Sequence, residues 1–298
     1  MNRTEVTIPE ILFSPDLETS SAERIQTALT ILEKHCEASK EYLPYKEAIY
    51  IAEILISELN LTAEPVVAAL LRKPFEAGLL SPDEVEKGFG KPVAGIVLGL
   101  QKIKSLNNKK FTSNTENFIK FLLTVSEDIR VVLIRLGQCI YDIRNIADLT
   151  PEQQKLVVEE ANLLYIPIAH RIGLYRIKTE LEDRVMAFTQ PAVYDELARK
   201  IRETQEDRDR YAREFIRPLE KKLREAGFDC EIKSRIKSIP SIYRKMQVQK
   251  VEFEKVYDLF AIRIIVNNIT ESETADCWKV YSIVTDTYTP NSRRLRDW

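Results

Sequence analysis

The sequence predicts an α+β protein, with an all-α N-terminal unit followed by a smaller α/β unit. Two observations predict it. From Ser20 to about Gln190, apolar residues recur at three- and four-residue spacing, and no strand pattern competes. Past Gln190-Pro191 the period changes. Cys230-Glu231-Ile232-Lys233-Ser234-Arg235 alternates as a strand does, Ile239 to Gln249 is helical again, and Leu259 to Val266 reads as a second, apolar strand.

Each element has a local reason. In the first unit the helical stretches run from Ala22 to Ala38, Lys46 to Leu59, Glu64 to Leu71, Ser81 to Phe89, Val93 to Ile103 and Thr115 to Tyr141. Ser81-Pro82-Asp83-Glu84 is a helix start: a hydroxyl cap, Pro at the first position, then acids near the positive helix end. Thr150-Pro151-Glu152-Gln153 repeats it and opens a helix through Leu164. Asn107-Asn108-Lys109-Lys110 is a polar loop. Val193 to Leu223 reads as one long helix whose alternating acids and bases, from Glu203 to Glu214, form a solvated face with ion pairs. Gly227 ends it, and a last helix covers Asp276 to Tyr288.

Composition excludes several classes. A chain of 298 residues has room for two domains. The net charge of −2 gives no global field for nucleic acid. No apolar run is long enough to span a membrane, and the start has no apolar leader segment, so the chain reads as soluble and cytoplasmic. The four cysteines, Cys36, Cys139, Cys230 and Cys277, are far apart and read as reduced. Two histidines, His35 and His170, are too few for a histidine-based metal centre.

The chemistry concentrates in two runs. Arg235-Ile236-Lys237-Ser238-Ile239-Pro240-Ser241-Ile242-Tyr243-Arg244-Lys245-Met246 gathers cations and hydroxyls in one short segment. Val256-Tyr257-Asp258-Leu259-Phe260-Ala261-Ile262-Arg263 follows, with a carboxylate at the mouth of a strand and an Arg within it. Ser241 and Lys245 share a helix face, and Arg235 and Lys237 share a side of an extended segment. Cations beside a strand-borne Asp suit a triphosphate with Mg²⁺, since the carboxylate holds the hard ion that bridges phosphate oxygens. Burial of Arg263 in the strand would be costly without an anion. For any one of these cations, soluble surface is the plainer explanation; for the set before Asp258 it is not.

Together these runs resemble the synthetase domain of the RelA/SpoT family, the enzymes that make the alarmone (p)ppGpp. Glu127-Asp128-Ile129-Arg130-Val131-Val132-Leu133-Ile134-Arg135-Leu136 resembles a further family segment. So does Ile168-Ala169-His170-Arg171-Ile172-Gly173-Leu174-Tyr175-Arg176-Ile177-Lys178, followed by Glu180-Leu181-Glu182-Asp183. The likeness runs from about Pro44 to the last residue. It implies an HD-like helical domain over 1–155, interdomain helices over 156–197, and the N-terminal part of a nucleotidyltransferase-like synthetase domain over 198–298.

The resemblance also implies roles. Arg235, Lys237, Ser241 and Lys245 would hold ATP, Asp258 would hold Mg²⁺, and Arg263 would lie near the phosphates. Ser238 stands where the family commonly has His. Arg294-Leu295-Arg296-Asp297 resembles the family's R-x-K-D loop, with Arg296 in place of Lys, so Arg294 and Arg296 are candidates for the GDP or GTP side. The implied reaction is pyrophosphate transfer from ATP to the 3′-hydroxyl of GDP or GTP. The chain stops before the family's N-G-Y-x-S-L-H segment and its second catalytic glutamate, so this portion is expected to be poorly active or inactive alone. Ribosome contact would belong to C-terminal domains outside it; the oligomeric state and the choice of GDP or GTP are left open.

The helical half resembles the family's HD-type hydrolase but departs at its Mn²⁺ ligands. Where H-P-L-A-V-A is expected stands Glu47-Ala48-Ile49-Tyr50-Ile51-Ala52. Where A-L-L-H-D is expected stands Ala69-Leu70-Leu71-Arg72-Lys73, and where L-A-D-R-L-H-N-M-R is expected stands Leu136-Gly137-Gln138-Cys139-Ile140-Tyr141-Asp142-Ile143-Arg144. Glu47, Arg72, Lys73 and Gln138 thus mark a degenerate metal site; two cations repel Mn²⁺ rather than bind it, and no Mn²⁺ is expected there. Arg171, Arg176 and Lys178 lie near Glu180, Glu182 and Asp183 and are candidates for an interdomain contact. The rival reading is a non-catalytic nucleotide-binding or regulatory module.

Overall fold

The computed structural model describes residues 19–39, 43–107, 128–256, 259–268 and 272–290. Chain contacts divide it into two units, Met1–Val185 and Met186–Trp298, a division inside the stretch expected to hold interdomain helices. No helix among the described residues is long and apolar enough to cross a membrane.

The first unit is helical through nearly all of its described part: α1 (Thr19–Ser39), α2 (Leu43–Ser57), α3 (Ala63–Glu76), α4 (Pro82–Phe89), α5 (Lys91–Asn107), α6 (Ile129–Arg144), α7 (Pro151–Glu160), α8 (Ile166–Arg171) and, as far as Val185, α9 (Tyr175–Thr189). α3 is its centre. Ala63 and the run from Pro65 to Leu71 are buried, which is how a helix apolar on every side must sit. It packs on α1, α2, α5 and α6, and Ile25, Leu32, Leu55, Leu70, Val93 and Leu136 join one continuous core. Gly99 lets α5 approach α6, since a Cβ there would lie 2.7 Å from Val131 Cγ2.

Both expected helix starts form, and each is a reciprocal capping box. The Glu84 N–H donates to Ser81 Oγ while Glu84 accepts from the Ser81 N–H at 2.8 Å. At α7 the Thr150 N–H donates to Gln153 Oε1 at 3.0 Å and the Gln153 N–H to Thr150 Oγ1 at 3.3 Å. Asp128 caps α6, accepting from the Arg130 N–H at 2.9 Å; the Arg130 side chain also reaches Glu64 at 2.9 Å, tying the start of α6 to α3. Positions 115–127 of the helix expected from Thr115 and positions 108–110 of the expected loop lie outside the described residues, while Asn107, expected in that loop, closes α5.

Two expectations change. The helix from Thr150 does not stay α-helical: Ala161–Tyr165 forms a π turn before α8. And Val193 to Leu223 is two helices, α10 (Pro191–Glu203) and α11 (Gln205–Glu225). They part at Thr204, whose hydroxyl donates back to the Lys200 carbonyl at 2.9 Å, while Arg208 donates to the Ile201 carbonyl at 2.6 Å. Local side-chain bonds to carbonyls at a helix end compete with the helical ladder, and charge alternation alone does not report them.

The second unit continues with β1 (Cys230–Ile236), α12 (Ile239–Gln249), β2 (Phe260–Val266) and α13 (Glu273–Thr287). Gly227 turns the chain out of α11 at φ +85°. β1 and β2 are antiparallel, with Lys233 opposite Arg263 and Ile236 opposite Phe260. One face of this ribbon, with Cys230, Ile232, Ile264 and Val266, packs on Leu219, Leu223, Phe228 and Val280. A separate cluster of Met186, Leu197, Ile242 and Phe253 seats α12.

Candidate functional site

Of the residues expected to form the synthetase site, Arg235, Lys237, Ser241 and Lys245 lie along the end of β1 and the first turns of α12, next to the start of β2. The Lys237 N–H donates to the Leu259 carbonyl at 2.9 Å, extending the ladder past the strands. The cationic run is thus pinned by main chain to the residue that follows Asp258. Ser238 Oγ donates to Ser241 Oγ at 2.8 Å across the first turn of α12, and Ser241 and Lys245 are both half-buried on that helix. By register, position 235 lies opposite Ala261, on the same face of the ribbon as Lys233 and Arg263.

Arg263 corrects an expectation. It is exposed, because β2 presents only alternate residues to the core and Arg263 faces away with the exposed Lys233. The desolvation argument for an anion at Arg263 therefore falls, although its place beside the cationic run stands. Asp258, Arg294 and Arg296 lie outside the described residues.

In the helical unit, the sequence-flagged positions do converge. Arg72 leaves the buried part of α3 with a side chain 11% exposed, between Glu47 on α2 and Gln138 on α6. Its Nη2 donates to Glu47 Oε1 at 2.6 Å and to Gln138 Oε1 at 2.8 Å. Its Nη1 lies 3.8 Å from Glu76, and Lys73 Nζ lies 3.7 Å from the other Glu47 oxygen. Gln138 Nε2 donates in turn to Asp142 Oδ1 at 3.0 Å. The amide presents oxygen to the cation and N–H to the carboxylate, so both ends meet a partner of suitable polarity.

Sequence reasoning named Glu47, Arg72, Lys73 and Gln138 as replaced positions but did not pair them, and it passed over Asp142. The residues are 25 and 66 positions apart in the chain, beyond any local pattern. Asp142 has the most unusual acidity of the group: burial raises its pKa from 3.8 to about 6, against the Gln138 hydrogen bond that lowers it. It lines a small polar cavity with Arg135, Gln138, Glu160 and Tyr165. The π turn delivers Tyr165 there, and burial pushes its hydroxyl up to about 12 although Arg135 pulls it down. Burial likewise raises Glu160.

A second network was also unseen in the sequence. Arg144, at the end of α6, donates to Glu58 at 2.6 and 2.9 Å and to Glu180 of α9 at 2.7 and 2.7 Å. Arg184 donates to Glu180 at 2.9 Å. Spacing along the chain pairs the α9 acids with Arg171, Arg176 and Lys178. Glu182 does take Lys178 at 2.7 Å, but Glu180 is turned to α6. The one available signal was Arg144 itself, the Arg that closes the quoted family pattern.

The helical unit, with its convergent pocket on α2, α3 and α6, is HD-type: the HD domain family matches residues 22–175. The region found in RelA / SpoT proteins matches residues 234–298. A guanosine-3′,5′-bis(diphosphate) 3′-pyrophosphohydrolase of Aquifex aeolicus is 30% identical over 280 residues, covering 93% of this chain and 39% of that protein. The bifunctional (p)ppGpp synthase/hydrolase SpoT of Escherichia coli is 31% identical over 256 residues, covering 86% and 36%. A GTP pyrophosphokinase of Myxococcus xanthus is 29% identical over 248 residues, covering 82% and 32%. The chain belongs to the RelA/SpoT family, and it spans less than two fifths of the length of these relatives.

An HD-type hydrolase pocket calls for a divalent metal, and the residues present do not fit one. The positions hold a carboxylate, two cations and an amide, with Arg72 already bonded to the oxygen ligands. Among the described residues no group of three or more His, Cys, Asp or Glu could hold a metal ion.

Proposed function

We propose that this chain serves (p)ppGpp synthesis in the cytoplasm: a synthetase-type unit that binds ATP, joined to an HD-type unit that does not hydrolyse the alarmone. In the reaction, the 3′-hydroxyl oxygen of GDP or GTP bonds to the β-phosphorus of ATP. The bond from that phosphorus to the α-phosphate oxygen breaks, AMP leaves and the hydroxyl proton is lost.

Arg235, Lys237, Ser241 and Lys245 are the ATP-holding residues of this reading, with Arg263 beside them and Arg294 and Arg296 toward the acceptor. Asp258 is the residue that would hold Mg²⁺, which neutralises phosphate oxygens when bound. The work of the protein side chains is positioning and charge neutralisation. Gathering of the cationic run at the junction of β1, α12 and β2 supports the reading, because it concentrates donors at one strand end beside Leu259.

The observation that carries the choice of direction is Arg72. A guanidinium 2.6 Å from Glu47 and 2.8 Å from Gln138 stands among the positions where a hydrolase would bind its metal, so no metal-bound water can form there. Two assays test the reading. With ppGpp and Mn²⁺ the chain is expected to release no pyrophosphate, and Mn²⁺-dependent release would overturn the loss of hydrolysis. With ATP, GDP or GTP and Mg²⁺, AMP and (p)ppGpp are quantified by chromatography. Any product is expected to depend on Asp258, and equal product from Asp258→Ala would remove that residue from the reaction.

A further inference from the structure

We propose that the Arg72 guanidinium is the resident cation of the HD-type pocket: a charge tethered to the chain that closes α2, α3 and α6 together and makes a divalent metal unnecessary for folding this unit. The proposal rests on the reading that the helical unit is no metal hydrolase and goes beyond it, because a pocket could lose its chemistry and simply collapse or stay open. Here it has done neither.

The geometry is that of an ion and its ligands. Oxygens from α2 (Glu47) and α6 (Gln138) converge on one guanidinium nitrogen at 2.6 and 2.8 Å, and a carboxylate from α3 itself (Glu76) lies 3.8 Å from another. Behind them, Asp142 orients the Gln138 amide and Lys73 flanks Glu47. Arg72, Glu47 and Glu76 are 11%, 16% and 15% exposed, so each charge is mostly withdrawn from water and needs the others. Arg suits the place better than Lys. Its planar fork carries five N–H donors fixed in direction and stays charged at any working pH, so one side chain can address partners from several helices. A divalent ion bonded to the same Glu47 oxygen would sit at roughly 2.0–2.2 Å from it, close against a fixed positive charge. Metal and Arg72 exclude one another.

The test is thermal unfolding of the full chain and of Arg72→Met, Arg72→Lys, Glu47→Gln and the neutral pair Glu47→Gln/Arg72→Met, each in chelator and in millimolar Mn²⁺. The wild-type midpoint is expected to agree within about 1 °C between the two conditions. Arg72→Met and Glu47→Gln are each expected to lower it by roughly 5 °C or more, and the neutral pair by much less than the sum of the two. Arg72→Lys is expected to retain less than half of the difference between wild type and Arg72→Met. The proposal is overturned by saturable Mn²⁺ stabilisation of the wild type, by an Arg72→Met midpoint equal to wild type, by full retention in Arg72→Lys, or by additive losses in the pair. If Arg72→Met does not fold, the neutral pair is still expected to fold, and its failure counts equally against the proposal. Mn²⁺ stabilisation without ppGpp hydrolysis defeats only this inference; with hydrolysis it also defeats the proposed loss of activity.

Discussion

Asp142 shows how one side chain carries both a cost and a test. Its folded pKa of about 6 lies above its ordinary 3.8, so the folded state holds the proton through that interval and the unfolded state does not. Stability therefore falls as pH rises from about 4 to about 6 and stays lower above. The displacement of roughly two units corresponds to about 3 kcal/mol at pH 8. Asp142→Asn, whose oxygen can still accept from Gln138, is expected to raise stability by about 2 kcal/mol at pH 8 and by little near pH 4, measured by urea unfolding at both values. Equal effects at the two pH values would contradict the assignment. At this scale the sequence was half legible. It marked Glu47, Arg72, Lys73 and Gln138 as departures from the family's metal ligands, because residue type alone reveals a departure. It could not give their mutual pairing, which depends on three helices meeting, nor the acidity of Asp142, which depends on burial.

Helix starts were the most legible elements, because a cap is local chemistry. Thr150→Ala removes the hydroxyl that satisfies the Gln153 N–H and is expected to cost about 1 kcal/mol in chemical unfolding. Less legible was the joining of elements by charge. Arg144 holds the end of α2 and the middle of α9 through Glu58 and Glu180, which hold its guanidinium charged. Arg144→Met would leave two half-buried carboxylates facing each other. The expected loss is about 2–3 kcal/mol, below that of a fully buried pair because solvent screens part of it; a loss under 0.5 kcal/mol would mark the contact as ordinary surface pairing. The π turn at Ala161–Tyr165 and the break at Thr204 escaped the sequence pattern for one reason: one extra residue in a turn, or one back-bonded hydroxyl, barely disturbs apolar spacing over the flanking turns. Arg263 was expected to be buried because it lies within an apolar run, whereas β2 packs on one face and Arg263 is on the other.

For the whole molecule, the two units differ in how they are held. The first has one continuous core through α1, α2, α3, α5 and α6; the second has two small clusters, around Ile242 and around Leu219. Amide hydrogen exchange is expected to be slowest around Leu70, Leu71, Ile134 and Leu136 and faster in β1 and β2, and the reverse order would contradict this division. A helical first unit followed by one that carries a small two-stranded sheet was legible, as was the family, since periodicity changes once and both recognisable motifs sit on one side or the other of that change. The measurement that tests the central claim most directly is calorimetric titration of the chain with ATP in Mg²⁺, alongside Lys245→Ala and Asp258→Ala. The expected result is saturable binding to the wild type that weakens at least about tenfold in each variant, as loss of a charge-assisted phosphate or metal contact requires. Binding that is absent, or unchanged in both variants, would contradict a synthetase-type ATP site in this chain.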